Sequence, residues 1–196
     1  MNKIVLESDS LILRDIKETD IINIFNKVSP LNVRKYLSTV PQPYTLENAQ
    51  EFVKMKLDNQ LLEKRTSFDL AITQKSLNSS GIDSLELIGI ISLSKIDYFM
   101  GKATIGYWLG EEYWGKGIMS KAVKRVIEFA FNDLNLNRIE IEAVVENIGS
   151  NKVIQKNGFV FECVQKQAMR SKATGKLHDG NTYSLLKEDW GKSFKI

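Results

Sequence analysis

Hydrophobic residues recur at helical intervals along one long stretch of the chain, 118–131. Within this stretch, apolar residues recur in pairs at positions 118, 119, 122, 123, 126, 127, 130 and 131. This is the i, i+3, i+4, i+7 spacing of an amphipathic helix, which buries one stripe and exposes the other. Patterns of the same kind, placed behind capping residues such as Thr45, predict three further helices: 15–28, 45–63 and 147–157.

Segments with strand character lie between these helices. They are rich in β-branched and aromatic residues and are bounded by turn residues, and they fall at 4–6, 11–14, 68–73, 85–93, 102–109, 138–145, 159–168 and 181–186. The Ser/Asn/Gly-rich run 75–84 separates two of them. A run of this length between two strands predicts a long hairpin connection rather than an interdomain linker.

The order of these elements predicts a mixed α/β architecture of the α+β class. Early helices, a central strand meander and a final strand–helix–strand pattern predict a mostly antiparallel, twisted sheet of six to seven strands with about four flanking helices. One pair of strands, 102–109 beside 138–145, is expected to be parallel, because the helix over 118–131 supplies the crossover that parallel neighbours need. Where such neighbours splay apart they leave a crevice, and α/β sheets bind ligands at this carboxyl end.

Composition narrows the functional classes. The 196 residues suffice for one domain with a sizeable core, so 1–196 is expected to be a single domain. A formal net charge of +3 is too small to indicate nucleic-acid binding. One cysteine and one histidine argue against a disulfide framework and against a zinc site built by the protein. Because no signal-peptide pattern and no apolar run near 18 residues occurs, the chain is expected to be cytoplasmic and to bind no membrane.

A glycine-containing loop, Gly115-Lys116-Gly117, joins the predicted strand 102–109 to the long helix. Backbone N–H groups at the start of a helix have no partner within the helix, and they lie at the positive end of its dipole, so they suit a phosphate or pyrophosphate. Alone, the motif also fits a turn that merely needs positive φ. Its spacing matches neither the P-loop nor the dinucleotide fingerprint, which favours a different diphosphate ligand.

Asn147 and Ser150 follow the predicted strand 138–145 and therefore lie at the same end of the sheet as the glycine loop. Either residue could simply cap the short helix over 147–157. A serine hydroxyl at this place could also donate a proton or a hydrogen bond to a leaving thiolate or an oxyanion. The sequence leaves both roles open.

Four motifs occur in a fixed order: Gly-Tyr-Trp-Leu, Tyr-Trp-Gly-Lys-Gly-Ile-Met-Ser, Leu-Asn-Arg-Ile-Glu, and Asn-x-x-Ser-x-x-Val-x-x-Lys-x-Gly-Phe. In combination they closely resemble the GNAT superfamily of acetyl-CoA-dependent N-acetyltransferases. Within it they resemble the RimJ/RimL type, which acetylates α-amino groups of ribosomal proteins. The resemblance implies the GNAT fold and an enzyme that takes its acetyl group from acetyl-CoA and needs no metal.

The resemblance also implies site residues. Main-chain groups of 107–109 would pair with the pantetheine arm, N–H groups of 115–120 would hold the pyrophosphate, Asn147 would bond the pantetheine, and Ser150 would protonate the departing thiolate as general acid. The implied donor-binding residues are Tyr107, Trp108, Leu109, Trp114, Gly115, Lys116, Gly117, Ile118, Met119, Ser120, Asn147 and Ser150.

The general base is not assigned by the resemblance, because Met169 stands where RimL-like relatives can carry a carboxylate. His178 is the first hypothesis, since imidazole ordinarily titrates near neutral pH; a plain loop histidine is the alternative. Cys163 is expected to be a buried small hydrophobe. Four acidic residues are interpreted as solvated charges: Glu111, Glu112, Glu140 and Glu142.

The acceptor is the least determined part of the prediction. By resemblance it is a primary amine, and a protein or peptide N-terminus such as that of a ribosomal protein is preferred. A small-molecule amine (polyamine, antibiotic or amino-acid-like) is the first alternative, and a non-catalytic acyl-CoA-binding module is the second. The oligomeric state is not decided by the sequence, and a homodimer is one candidate.

Overall fold

A mixed sheet of eight strands forms the centre of the computed structural model, which describes residues 3–8, 10–74 and 86–193. The strands are β1 Val5–Glu7, β2 Leu11–Asp15, β3 Phe68–Gln74, β4 Leu87–Asp97, β5 Lys102–Leu109, β6 Arg138–Val144, β7 Val160–Arg170 and β8 Leu177–Leu186. Their order across the sheet is β1-β2-β3-β4-β5-β6-β8-β7. All neighbours are antiparallel except β5 and β6, which confirms the predicted parallel pair.

Six α-helices flank the sheet in the described part of the chain. They are α1 Ile21–Val28, α2 Leu31–Arg34, α3 Leu46–Gln60, α4 Ile118–Glu128, α5 Ile148–Lys156 and α6 Lys187–Ser193. Short 3-10 turns precede α1 and α4, and a π-helical turn, Phe129–Asp133, continues α4. The predicted cap at Thr45 is confirmed, because Thr45 forms a capping box with Asn48 at the start of α3.

The two faces of the sheet are covered by different helices. Successive strand residues point to opposite faces, and Ile91 belongs to the core under α4 whereas Ile90 belongs to the core under α1 and α3. The predicted apolar stripe of α4 is buried as a whole: Ile118, Met119, Ala122, Val123, Val126 and Ile127. This stripe fixes α4 on the sheet and thereby places the loop before it at the carboxyl end of β5.

The numbers of elements differ from the prediction. The sheet has eight strands rather than six to seven, and six α-helices are described rather than about four. The additional helices α2 and α6 span four and seven residues, which is too short to show a hydrophobic period. The predicted hairpin connection, 75–84, lies outside the described residues, although the two strands on either side of it do pair in antiparallel fashion.

The prediction that Cys163 is buried was wrong, because its side chain is exposed. Cys163 lies in β7, which is the last strand of the sheet. Nearly every residue of β7 is exposed on both faces, including Phe161, with 51% of its surface accessible. Strand propensity predicted the strand but not its place at the edge, where no helix in the described part of the chain covers it.

The parallel ladder between β5 and β6 is short. It runs from Lys102 opposite Arg138 to Ile105 opposite Ile141 and then ends, although β5 continues to Leu109 and β6 to Val144. The two strands therefore splay apart towards their carboxyl ends. This splay, meaning residues 106–109 and 142–144, opens the crevice that the sequence predicted.

Among the described residues, no group of three or more His, Cys, Asp or Glu side chains is arranged to hold a metal ion. Over the same ranges, none of the helices combines the length and the apolar character needed to cross a membrane.

Candidate active site

Two cavities meet at the splay. The smaller has a volume of about 570 Å³ and the larger about 690 Å³. Volumes of this order are typical of sites that enclose a small ligand. Six residues line both cavities and so mark the place where they join: Tyr36, Leu37, Tyr107, Trp108, Asn147 and Ser150.

The glycine loop forms one wall of the smaller cavity. Gly115 and Gly117 have φ of 72° and 73°, in the left-handed region that disfavours side chains. A Cβ added at either glycine would meet no atom within 4 Å, so open space lies beside the backbone. Gly117 caps α4, and the first N–H groups of that helix follow directly. This geometry suits an anion held by main-chain N–H groups.

The smaller cavity brings together the donor-binding residues that the sequence predicts. Of that set, Lys116 alone is missing from the lining of this cavity in the described structure. The Lys116 ammonium instead lies 5.7 Å from the centre of the Tyr113 ring. Trp114, which is 45% exposed, forms part of the wall and donates its indole N–H to the carbonyl of Leu109 at 2.8 Å.

Three lysines to which the sequence assigned no role line the smaller cavity: Lys35, Lys152 and Lys156. Lys35 follows α2, whereas the other two belong to α5, more than a hundred residues later. Each looks in the sequence like an ordinary solvated charge, and only the fold assembles them. Together with the loop they give the smaller cavity the cationic groups that a phosphorylated ligand requires.

The structure separates the two roles left open for Asn147 and Ser150. Asn147 is the N-cap of α5, and its side-chain oxygen accepts a hydrogen bond from the Ser150 N–H at 3.2 Å. The Ser150 hydroxyl is not used for capping. It lies 2.9 Å from the hydroxyl of Tyr107, across the splay. Burial raises the pKa of Tyr107 to about 12, and the hydrogen bond with Ser150 offsets part of that rise, so this phenol is protonated at neutral pH.

The larger cavity lies on the other side of the same junction. Its wall combines aromatic and aliphatic groups, such as Tyr44, Phe52 and Trp108, with a few charged side chains. Asp69 is buried among them and fully engaged. It accepts hydrogen bonds from the hydroxyls of Ser67 and Ser92 at 2.6 Å and pairs with the Lys56 ammonium at 3.1 Å. A carboxylate with three such partners is a fixed part of the wall.

Glu142 is the carboxylate of the larger cavity that lies at the splay. It directly follows Ile141, the last β6 residue of the parallel ladder. Its side chain alternates with those of buried Ile141 and Ala143 and is exposed. The sequence predicted a solvated charge here, because alternation shows that Glu140 and Glu142 share a face but not what that face borders. The fold makes Glu142 part of the wall of the larger cavity.

Met169 and His178 lie opposite each other in the β7–β8 ladder. Met169 lines the larger cavity. His178 is 6% exposed, and in the described structure it lines neither cavity. Its ring packs edge-on against Tyr36, with centroids 5.6 Å apart, and its Nδ1 lies 3.5 Å from a Glu146 carboxylate oxygen. The hypothesis that His178 accepts a proton stays a prediction.

Glu111 and Glu112 are exposed and, among the described residues, line neither cavity. Glu111 accepts a hydrogen bond from Asn32 at 2.9 Å. Glu112 pairs with the Lys27 ammonium at 3.0 Å. A hydrogen bond from its own backbone N–H and the one from Lys27 hold the pKa of the Glu112 carboxyl below its usual range. Both residues therefore tie the loop after β5 to the α1–α2 region.

Comparisons with known proteins agree with this arrangement. A family model for an acetyltransferase (GNAT) domain matches residues 10–160. The chain is 32% identical over 186 residues to the N-acetyltransferase p20 of Bacillus licheniformis, covering 94% of this chain and 97% of that one. It is 42% identical over 83 residues to a ribosomal-protein-serine acetyltransferase of Escherichia coli, covering 42% and 46%. A solved structure of RimL, a ribosomal L7/L12 alpha-N-protein acetyltransferase in complex with coenzyme A, matches with a TM-score of 0.75 and 25% identity over 93% of this chain and 98% of the other.

Proposed function

Because this chain belongs to the GNAT acetyltransferase family and is an N-acetyltransferase that takes its acetyl group from acetyl-CoA, we propose that its acceptor is the α-amino group of a protein or peptide. The names of two relatives support this acceptor class, since both are acetyltransferases of ribosomal proteins. The charge of the larger cavity carries the proposal.

The larger cavity has a small excess of negative charge. Three carboxylates and two lysines line it, so the carboxylates exceed the lysines by one negative charge: Glu51, Asp69, Glu142, Lys56 and Lys172. One carboxylate and one lysine of this set, Asp69 and Lys56, neutralise each other. A polyamine carries several positive charges and would be matched by a more acidic wall. An excess of one suits an acceptor with a single ammonium group, such as a peptide N-terminus.

The proposed reaction takes place where the two cavities join. Acetyl-CoA lies in the smaller cavity with its diphosphate on the N–H groups of the glycine loop, and the acceptor amine enters from the larger one. The neutral amine attacks the thioester carbonyl, and we assign Glu142 as the base that takes the amine proton, directly or through a water molecule. Ser150 gives a proton to the departing thiolate.

Replacing Ser150 by Ala is expected to lower kcat by roughly 100-fold, the lower end of general-acid contributions, while the affinity for acetyl-CoA stays nearly the same. The free energy of unfolding should hardly change, because Asn147 supplies the cap of α5. Steady-state kinetics, calorimetric titration with acetyl-CoA and urea denaturation measure the three quantities.

Ser184→Ala is the matched control for this prediction. Ser184 is buried and donates its hydroxyl hydrogen bond to Glu162 at 2.6 Å, but it lies on β8 and lines neither cavity among the described residues. Its replacement should leave kcat unchanged. If Ser150→Ala turned over at the wild-type rate and only melted earlier, Ser150 would be structural.

The acceptor class is tested by release of free thiol from acetyl-CoA with a panel of amines, each product being checked by mass. Peptides with a free α-amino group are expected to be acetylated at that group. The same peptides with a blocked N-terminus and a free lysine should not react. Spermidine and an aminoglycoside complete the panel.

Each outcome of this assay distinguishes one alternative. Faster turnover of spermidine than of any peptide would show that the acceptor is a small-molecule amine. Tight binding of acetyl-CoA without turnover of any amine would indicate a non-catalytic acyl-CoA-binding protein.

We propose in addition that 1–196 acts as a single domain; the cytoplasmic location and a homodimer stay predictions.

A further inference from the structure

Tyr107 occupies a position at the reaction centre that the proposed mechanism does not use. Its hydroxyl lies 2.9 Å from the Ser150 hydroxyl and 3.3 Å from the Ser150 carbonyl oxygen. Both residues line both cavities. The side chain of Tyr107 thus reaches from β5 across the splay to the first turn of α5, and two hydroxyl groups stand in contact between the acceptor side and the donor side.

The proton balance of acetyl transfer makes this contact chemically significant. The amine loses one proton when its nitrogen bonds the acetyl carbon, and the sulfur gains one when the carbon–sulfur bond breaks and the electron pair goes to sulfur. If Ser150 alone supplied that proton, it would be left as an alkoxide, which is a very strong base. In the described structure, the Tyr107 hydroxyl is the group hydrogen-bonded to the Ser150 hydroxyl, and it can replace the lost proton at once.

We propose that Tyr107 is a catalytic residue, the second hydroxyl of a proton relay to the leaving thiolate. As the carbon–sulfur bond breaks, the Ser150 proton moves to sulfur and the Tyr107 proton moves to the Ser150 oxygen. The tyrosinate then recovers a proton through water of the larger cavity from Glu142, which holds the one that the acceptor amine released. No oxidant, reductant or further reactant is needed. The inference rests on the acetyl transfer itself and not on the acceptor class.

The burial of Tyr107 agrees with this role. The phenol stays protonated at neutral pH, so it holds a proton to give. It is nevertheless a stronger acid than a serine hydroxyl, so the proton passes downhill towards the Ser150 alkoxide. Phenylalanine at position 107 would keep the ring that packs against the core and remove the relay hydroxyl alone.

The test is Tyr107→Phe, measured in single turnovers with the amine that wild type acetylates fastest. We expect the rate of acetyl transfer to fall roughly 10- to 100-fold, in the range of acid–base contributions, with the affinity for acetyl-CoA kept within about twofold. The double variant with Ser150→Ala should be no slower than Ser150→Ala alone, because both changes interrupt one relay.

Solvent isotope measurements separate a relay from mere positioning of α5. In mixtures of light and heavy water, wild type should show a curved dependence of rate on deuterium fraction, since two protons move together, and Tyr107→Phe a linear one. Tyr98→Phe is the control: that hydroxyl donates to the Arg65 carbonyl at 3.0 Å and lines neither cavity among the described residues. It should keep both the rate and the curvature.

Three results would each overturn the relay. Tyr107→Phe could transfer acetyl at the wild-type rate, the rate losses of the two single variants could multiply in the double variant, or Tyr107→Phe could keep the curved dependence on deuterium fraction. Because the same ratios are measured with whichever amine is turned over, a preference for spermidine would refute the proposed acceptor without affecting this result. Conversely, the wild-type enzyme could prefer peptides and show a linear dependence of rate on deuterium fraction. That result would support the proposed acceptor and refute the relay.

Discussion

Replacing Glu142 by Gln is expected to lower kcat/KM by between about 100- and 10,000-fold, the range found for general bases. Gln keeps the size of the side chain and its place in the wall of the larger cavity, but it cannot take a proton from the attacking amine. The affinity for acetyl-CoA should be unaffected, because Glu142 does not line the smaller cavity among the described residues. Kinetics with a peptide acceptor and calorimetry with acetyl-CoA measure the two effects.

Two further variants make this a test of the base rather than of charge in general. Glu140→Gln removes a carboxylate from the same strand and the same face, but Glu140 pairs with Arg138 and lines neither cavity in the described structure. His178→Gln removes the imidazole that the sequence suggested as the base. Both variants should retain nearly full activity.

The pH profile distinguishes the two candidate bases. With Glu142 as the base, kcat/KM should rise as the acceptor becomes neutral, near the pKa of about 8 of an α-amino group, and His178→Gln should keep that profile. If His178→Gln instead abolished a limb near neutral pH while Glu142→Gln was active, His178 would be the base and our assignment of Glu142 would be wrong.

Replacing Gly117 by Asp is expected to weaken acetyl-CoA binding by at least roughly 100-fold, about 2.7 kcal/mol. A Cβ added at Gly117 meets open space, but in the proposed complex that space holds the diphosphate. A carboxylate there repels the phosphates and covers the N–H groups at the start of α4. Calorimetric titration of the folded variant with acetyl-CoA measures the loss.

Backbone strain has to be separated from this effect, since φ at Gly117 is 73°. Gly175 has φ of 72°, is equally open, and lies in the β7–β8 turn. Gly175→Asp therefore introduces the same strain and charge away from both cavities and should bind acetyl-CoA normally. In Gly117→Asn, asparagine tolerates the left-handed conformation better and carries no charge, so the loss of affinity for acetyl-CoA should be smaller than in Gly117→Asp. Unchanged affinity in Gly117→Asp would contradict the assignment of the loop.

Signals that are local in sequence predicted most of the fold that positions the site. The amphipathic stripe of α4, the glycine loop before it, the cap at Asn147 and the parallel pair β5–β6 each depend on a few neighbouring residues. Since a crossover helix places the next strand parallel to the first, these pieces fix the crevice without further information. The segments α3, α4, β5 and β6 were therefore predicted closely, whereas the helix predicted over 15–28 begins only at Ile21, because Asp15 still belongs to β2.

What the sequence could not provide depends on packing between distant segments. The exposed edge position of Cys163 follows from the pairing order of β7 and β8, which no local pattern encodes. The contact between Tyr107 and Ser150 joins residues more than forty positions apart. The place of Glu142 in a cavity depends on where the helices over its face end. Strand alternation gives the faces of a sheet, whereas coverage of each face is a property of the whole chain.

The short ladder between β5 and β6 is also expected to link the stability of the protein to the concentration of acetyl-CoA. Beyond Ile105 and Ile141 the two strands no longer pair with each other, and in the proposed complex the bound donor would make contacts that the chain itself leaves open. A ligand that binds only the native state adds about 2.7 kcal/mol at a hundred times its Kd. If acetyl-CoA binds there, the protein should resist unfolding and proteolysis most when acetyl-CoA is plentiful, and its lifetime is expected to rise with the acetyl-CoA concentration.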